Sequence, residues 1–175
     1  MFNVWNFVAY QLAWFAVLIS AGFGMAWAGA TVAILVATVH LALRRDPLEL
    51  RLIALAAGIG LLVDSTLAIT GQVRFVAAWP AGFAPYWMLS LWIVFATTLN
   101  HSLRWLMNRP VAAALAGASG GPLAYLAGAK LGALTIVTPA VTLPFIALLW
   151  TPAMITLSMI VLRASRLPAA GRLPA

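Results

Sequence analysis

Cysteine is absent from this chain of 175 residues. Its absence excludes disulfides, iron–sulfur clusters, thiolate zinc sites and cysteine nucleophiles. Charge is also scarce, since only 7% of the residues are Asp, Glu, Lys or Arg, against about 25% in a soluble domain. Hydrophobic residues make up 65% of the chain. These values exclude a soluble globular domain and predict a polytopic membrane protein, with room for about six spans of ~20 residues and no extramembrane domain.

Acidic residues are the scarcest charged type, because three Asp and Glu oppose ten Lys and Arg and leave a net charge of +7. In a soluble protein that excess would suggest a nucleic acid partner. Here we expect no nucleic acid, because basic residues commonly flank membrane spans and fix their orientation. The N-terminus, Met1-Phe2-Asn3-Val4-Trp5, lacks a positively charged n-region, so it is predicted to begin a first span and not a cleaved signal peptide.

Breaks between the hydrophobic runs predict the fold class: all-α, a compact bundle of six transmembrane helices. One domain is predicted over residues 1–163, followed by a short basic cytoplasmic tail over residues 164–175. Residues 72–84 are too polar and broken for a span and are predicted to form an interfacial loop with aromatic anchors. The predicted helices cover, to about ±2–4 residues, residues 4–21, 25–43, 48–71, 85–107, 110–134 and 139–162.

The basic residues are distributed unevenly between the two sides of this predicted bundle. One side receives the N-terminus, the loops after the second and fourth helices, and the C-terminus. Of the ten basic residues, only Arg74 and Lys130 fall on the other side. The positive-inside rule then predicts that both termini are cytoplasmic.

Asp64 is the one acid deep inside a hydrophobic segment, because Asp46 and Glu49 lie in a short charged turn. An ionisable group at membrane depth is costly and normally faces a protein interior or a water-filled cavity. At ~1.5 Å of rise per residue, Asp64 lies ~20 Å from the cytoplasmic end. Its helix face also holds the small residues Ala57, Gly60 and Gly71.

Two interpretations of Asp64 remain open at this point. It is either a structural aspartate, protonated or hydrogen-bonded to Thr97, Ser119 or a tryptophan indole, or the polar floor of a ligand pocket. The same rise puts Gln11, Trp14, Trp92, Gly120 and Trp150 at ~10–22 Å depth. Apolar walls with a few polar groups are typical of a pocket. The candidate ligand-binding residues are Asp64, Trp92, Thr97, Asn100, His101, Gln11, Trp14, Gly120, Gly121, Tyr125 and Trp150.

The fifth predicted helix is rich in glycine and alanine at small-xxx-small spacing, exemplified by Ala113, Gly117 and Gly121. Small residues let two helices approach closely, so tight internal packing is the simpler interpretation. The alternative is that Pro122, which removes a donor, kinks or breaks the helix after Gly120 and Gly121. Broken helices at mid-membrane recur at the substrate sites of transporters.

The two histidines, His40 and His101, both fall in the cytoplasmic third of the predicted bundle. A metal or haem pair is disfavoured, because no acid is expected at their depth. Asp64 lies ~10 Å or more deeper than His101, so no Ser-His-Asp triad is predicted. We therefore predict no catalytic residue and no metal site, and the sequence identifies no cofactor.

Two stretches carry a resemblance to a known family. They are Pro85-Tyr86-Trp87 with the run from Leu91 to Leu103, and the run from Gly117 to Ala133; Gly60-Leu61-Leu62-Val63-Asp64-Ser65 and Trp5-Asn6-Phe7 also fit. The chain resembles the bacterial membrane family called domain of unknown function 2878 over nearly its whole length. The resemblance implies a multi-pass protein of the bacterial inner membrane with no assigned activity and no established catalytic residues.

Three functional hypotheses follow. The first is binding or transport of a small hydrophobic or lipid-like molecule in a mid-membrane pocket lined by Asp64 and tryptophans. The size and six-helix layout are similar to those of the substrate-binding subunits of vitamin transporters. If this similarity of architecture extends to function, the protein works with partner membrane subunits. The second is an intramembrane enzyme or enzyme subunit acting on lipids, with Asp64, Asn100 and His101 as acid–base groups. The third is a structural or assembly protein that offers the glycine face of the fifth helix to a partner.

Overall fold

Seven helices and one short pair of strands form the fold in the computed structural model, which describes residues 1–166. The two strands, Val73–Phe75 and Leu134–Ile136, pair antiparallel, with Val73 opposite Ile136 and Phe75 opposite Leu134. In chain order the elements are α1 (Phe2–Gly22), α2 (Ala26–Arg44), α3 (Pro47–Ile69), β1 (Val73–Phe75), α4 (Tyr86–Leu99), α5 (Arg104–Met107), α6 (Pro110–Lys130), β2 (Leu134–Ile136) and α7 (Pro139–Arg166).

The helical class is confirmed, and five helices of the described chain, α1, α2, α3, α6 and α7, are long and apolar enough to cross a membrane. α4 is apolar but has only 14 residues, fewer than the ~20 that span a bilayer. The count of six spans and the cytoplasmic placement of the termini therefore stay predictions.

The fourth predicted helix, over residues 85–107, is interrupted. α4 ends at Leu99, residues 100–103 form a turn, and α5 resumes at Arg104. The side chains of Asn100 and His101 bond to a carboxylate on α3, so the chain leaves the helix where these polar groups find a partner.

The fifth predicted helix ends earlier than residue 134. α6 stops at Lys130, which is exposed, and Gly132 follows with φ of 78°, a left-handed conformation that glycine adopts without steric cost. The chain then enters β2, whose partner β1 lies inside the predicted interfacial loop of residues 72–84. The strand pair thus joins the two connections at one end of the bundle.

The glycine face of α6 packs against α7, as its spacing predicts. A Cβ at Gly117 would lie 2.8 Å from the carbonyl oxygen of Trp150, so only glycine permits this approach. α6 is a continuous helix with Pro122 inside it, and the predicted break after Gly120 and Gly121 does not occur. The face is therefore occupied within the chain.

The N-terminus and two turns meet at the opposite end of the bundle, which we call the arginine end. The ring of Phe2 lies 5.2 Å from the ring of His101, and the Arg44 guanidinium lies 3.4 Å from the Phe2 ring centroid. The start of α1, the α2–α3 turn and the α4–α5 turn are thus neighbours. Within the predicted tail, Ala164–Arg166 continues α7, and residues 167–175 lie outside the described chain.

Candidate functional site

Asp64 lies on α3 and is fully buried, with both carboxylate oxygens engaged. Trp92 Nε1 of α4 donates to Oδ2 at 2.8 Å, and the Tyr125 hydroxyl of α6 donates to Oδ1. Of the partners considered from sequence, the tryptophan indole is the one found, because Thr97 and Ser119 bond to carbonyls of their own helices. This Asp64 cluster ties three helices together.

Two tryptophans stack beside Asp64 in spaces that glycines leave open. The rings of Trp92 and Trp150 lie 4.6 Å apart and 29° from parallel. A Cβ at Gly60 would overlap the Trp92 indole, and a Cβ at Gly121 would overlap the Trp150 indole. The small-residue faces of α3 and α6 therefore accommodate aromatic rings.

A cavity of about 60 Å³ adjoins this stack. Its walls include Trp14, Trp92, Tyr125 and Trp150, all predicted site residues. Among the side chains of residues 1–164, Trp150 Nε1 is the buried polar atom that has no hydrogen-bond partner. The cavity is far below the ~300–1,000 Å³ of pockets that hold drug-sized ligands.

Of the six other predicted site residues, Gly121 belongs to this layer and three belong to a second one. Gly121 supports the tryptophan stack, whereas Gly120 is exposed with open space around its Cα. Gln11 is half-buried and does not line the cavity beside Asp64. Thr97, Asn100 and His101 lie in the second layer, nearer the arginine end.

The second layer is built around Glu49, a residue missed in the sequence-based site. It was assigned to a charged turn, but α3 begins at Pro47 and buries the Glu49 side chain to 1% exposure. His40 Nε2 lies 2.9 Å from Oε2, and His101 Nε2 lies 3.0 Å from Oε1. Asn100 Nδ2 donates to Oε1 at 2.9 Å. The expectation that no acid lies level with the histidines is therefore wrong.

Asn6 extends this network to α1. Its Nδ2 donates to the Thr97 carbonyl at 3.1 Å and lies 3.5 Å from His40 Nδ1. Its Oδ1 accepts from the Ser102 hydroxyl at 2.7 Å. The Glu49 cluster, comprising Glu49, His40, His101, Asn100, Asn6 and Ser102, thus links α1, α2, α3 and the turn after α4.

The sequence did contain a signal for the burial of Glu49. Asp46 caps α3 by accepting from Leu48 N at 2.9 Å, and Asp-Pro is a strong helix start. Glu49 is then helical, and its spacing of 7 and 11 residues to Ala56 and Gly60 puts all three on one buried face. Fifteen residues also separate Glu49 from Asp64, or ~22 Å of helix rise, so the two clusters are distinct.

A groove of about 300 Å³ borders the Glu49 cluster. Its apolar walls come from α1 and α2, and Trp5 and Leu43 on its rim are each 69% exposed. Asn6, His40 and Thr97 supply its polar end. The groove is therefore open at the side of the bundle and polar on the inside. Its full lining is Phe2, Trp5, Asn6, Ala9, Leu35, Val36, Val39, His40, Leu43 and Thr97.

The apolar helices, the buried polar clusters and the exposed apolar surface together define a multi-pass helical membrane protein. The chain belongs to a family described as proteins of unknown function, DUF2878, whose profile matches residues 3–156. The match covers the whole of the Asp64 and Glu49 clusters. No curated protein and no solved structure matches the chain.

Proposed function

We propose that this protein binds a small hydrophobic or lipid-like molecule within the bacterial inner membrane, as a binding or transport component. The groove between α1 and α2 supports this function most directly. Its volume of about 300 Å³ reaches the lower limit of ordinary ligand pockets. The cavity of about 60 Å³ beside Asp64 has room for water-sized groups only.

The groove has the chemistry that an amphipathic chain requires. Its walls are almost entirely apolar and its side opening is lined by exposed residues such as Leu35 and Val39, so a chain can enter from the bilayer. At the inner end, Asn6 and His40 can bond a hydroxyl, carbonyl or carboxyl group. Ligand sites generally combine apolar walls with a few polar groups of this kind.

Ala9→Trp tests the proposal by filling the groove. Ala9 lines it and is half-buried, so an indole there would occupy volume that the ligand needs. The protein would be purified in native-like bilayer discs, and co-purifying lipids would be identified by mass spectrometry after thorough washing. We expect one lipid class enriched in the unsubstituted protein and at least a ~5-fold lower content in Ala9→Trp.

The matched control is Ala54→Trp, an exposed residue of α3 outside the groove lining. It adds the same indole to the lipid-facing surface, so the enriched lipid should remain. Equal lipid retention by the two variants, or no enrichment over the surrounding bilayer in any of the proteins, would refute a bound lipid in this groove.

A second candidate is an intramembrane enzyme acting on lipids, and one contact favours it. His40 lines the groove and bonds to Glu49, so an acid–base pair borders the space for a chain. Glu49 would take the role that the sequence gave to Asp64. Time-dependent conversion of a bilayer lipid by the purified protein, lost in Glu49→Gln, would establish this function; unchanged lipid would exclude it for the lipids tested.

A further inference from the structure

We infer that His40, Glu49 and His101 bind one divalent transition-metal ion. Their ligand atoms converge from α2, α3 and the turn after α4, and all lie within 4.8 Å of one another. Two imidazole nitrogens and one carboxylate form a donor set that suits Zn²⁺, Fe²⁺ or Mn²⁺, whereas Mg²⁺ and Ca²⁺ prefer oxygen ligands alone.

The spacing of these atoms is close to that of the ligands of one ion. Nitrogen and oxygen ligands lie about 2.0–2.2 Å from zinc, so two ligands lie ~3.0 Å apart at an octahedral angle and ~3.4 Å apart at a tetrahedral one. The two imidazole–carboxylate distances are 2.9 and 3.0 Å. The two Nε2 atoms contact opposite oxygens of one carboxylate, and the ligand atoms all lie within 4.8 Å of one another. Two ligands of one ion lie at most ~4.2 Å apart, so side-chain rotations that draw the imidazoles together would place the ion between them.

The charge at Glu49 also favours a cation. A buried charge is normally paired or coordinates a metal, and among the side chains of residues 1–164 the ion-pair partners of Glu49 are the two histidines alone. The nearby Arg44 guanidinium lies over the Phe2 ring. A divalent ion would balance the carboxylate and would leave Asn100 Nδ2 as a donor to Oε1, which holds the ligand in place.

Asn6 is the residue that must adjust. When Nε2 of a histidine binds a metal, Nδ1 carries the proton and donates to an acceptor. The Asn6 amide now presents Nδ2 to His40 Nδ1 at 3.5 Å. Reversal of the amide presents Oδ1 to that nitrogen and Nδ2 to the Ser102 hydroxyl, at the cost of the bond to the Thr97 carbonyl. This exchange links metal binding to α1, which forms one wall of the groove.

Three protein ligands leave coordination positions open, as in catalytic zinc sites and in two-histidine, one-carboxylate iron sites. His40 lines the groove, so an open position can face the polar end of a groove ligand. Metal binding does not depend on whether the groove holds a lipid. The metal proposal is tested by metal content and the proposed function by lipid content, so either can fail without the other.

The test is metal binding by the full chain, purified with a histidine-free tag and stripped with a chelator. Co²⁺ is the probe, because the position and strength of its visible absorption report coordination by nitrogen and oxygen. We expect one Co²⁺ per chain, displaced by Zn²⁺, and an upward shift of the thermal unfolding temperature with either ion. No binding above that of a metal-free reference membrane protein would overturn the proposal.

Glu49→Gln is the decisive variant and Asp46→Asn its matched control. Both remove one negative charge near the start of α3, but Asp46 is exposed and Asn still caps a helix. We expect at least a ~10-fold weaker Co²⁺ affinity in Glu49→Gln and none of that loss in Asp46→Asn. Equal affinity in the two variants would contradict the site.

A variant in the turn guards against misfolding of Glu49→Gln. The side chain of His101 is 14% exposed, and Gln at this position retains an amide donor for Glu49. His101→Gln should remain monodisperse on size exclusion while losing the Co²⁺ spectrum. A well-folded His101→Gln that retains the unsubstituted spectrum would rule out His101 as a ligand.

Discussion

At the scale of single residues, two acids on α3 are buried by different means. Asp64 accepts from Trp92 and Tyr125, whereas Glu49 faces two imidazoles and an amide. These contacts favour a structural role for Asp64, because neutral donors of two other helices, α4 and α6, occupy both of its oxygens. Glu49 is the acid with titratable neighbours, and one of them, His40, lines the groove.

Asp64→Ala and Asp64→Asn separate these roles for the Asp64 cluster. Alanine leaves the Trp92 and Tyr125 donors buried without an acceptor, at about 1–3 kcal/mol each. Asparagine can accept from Trp92 through Oδ1 and donate to the Tyr125 oxygen through Nδ2, because a tyrosine hydroxyl is donor and acceptor. We expect a large fall in the thermal unfolding temperature for Asp64→Ala and a small one for Asp64→Asn, measured in the same detergent.

Equal destabilisation by the two substitutions would mean that the charge of Asp64, and not its hydrogen bonds, is what the fold requires. The structural interpretation would then be wrong, and the mid-membrane ligand hypothesis would regain support.

At the scale of elements, glycines set how closely the helices approach. Gly60 of α3 accommodates Trp92 of α4, and Gly121 of α6 accommodates Trp150 of α7. The Trp92 and Trp150 rings then stack on each other. Glycines on α3 and α6 therefore position an aromatic contact between α4 and α7. The glycine face of α6 is consequently an internal surface, which removes the observation behind the assembly hypothesis.

Gly60→Ala against Gly58→Ala tests this packing on one helix. A methyl group at Gly60 overlaps the Trp92 indole, whereas Gly58 has nothing within 4 Å in the described chain. Overpacking costs about 1–3 kcal/mol, and Gly→Ala at an unobstructed helix site gains up to ~1 kcal/mol. We expect Gly60→Ala to lower the unfolding temperature and Gly58→Ala to maintain or raise it.

Gly121→Ala and Gly120→Ala form the same comparison on α6, since only Gly121 contacts a ring. Similar stability of all four variants would show that the tryptophan stack shifts freely and that the glycines do not determine it.

At the scale of the whole molecule, the strand pair and the arginine end define two opposite poles. The N-terminus, the α2–α3 turn and the α4–α5 turn meet at the arginine end, as the positive-inside assignment requires. The connections that contain β1 and β2 meet at the other pole. This arrangement supports a short α4 as a sixth span, with a strand pair closing the bundle where the helix is short.

Single cysteines would test the orientation without background, because the chain has none. Asn108 precedes α6 at the arginine end, Ala81 lies between β1 and α4, and both are exposed. With a membrane-impermeant maleimide on spheroplasts, we expect Ala81→Cys to react at once and Asn108→Cys to react only after permeabilisation. Labelling of both from the same side would refute the six-span layout.

Much of the fold could be predicted from local sequence. Pro110 marked the start of α6, and Asp46-Pro47 marked the break between α2 and α3, because caps and breakers act on their own neighbours. The end of α6 was missed, since the fifth predicted helix ran on through Gly132 to residue 134. The interruption of α4 at Asn100 was missed, since its cause is Glu49 on another helix. The β1–β2 pair also depends on a distant contact. Its three-residue strands are separated by about 60 residues and have no local signature, so it was missed.

The candidate site was predicted unevenly. The tryptophans around Asp64 were found because residues at equal depth on adjacent helices fall into one layer. Depth alone could not exclude Gly120, which lies on the exposed face of α6, since rise along a helix does not give its rotation about the axis. Glu49 was missed because closeness to a charged turn predicts solvent exposure.

The sequence by itself determined the class of this protein, since the scarcity of charge and the lengths of the apolar runs leave only a helical membrane protein. It also determined that Asp64 is buried, because every neighbouring residue is apolar or small. Only the tertiary structure decided which acid lies among side chains that can bind a metal or transfer a proton. His40, Glu49 and His101 come from three elements, and contacts between elements depend on how the helices rotate and pack, which no local pattern specifies.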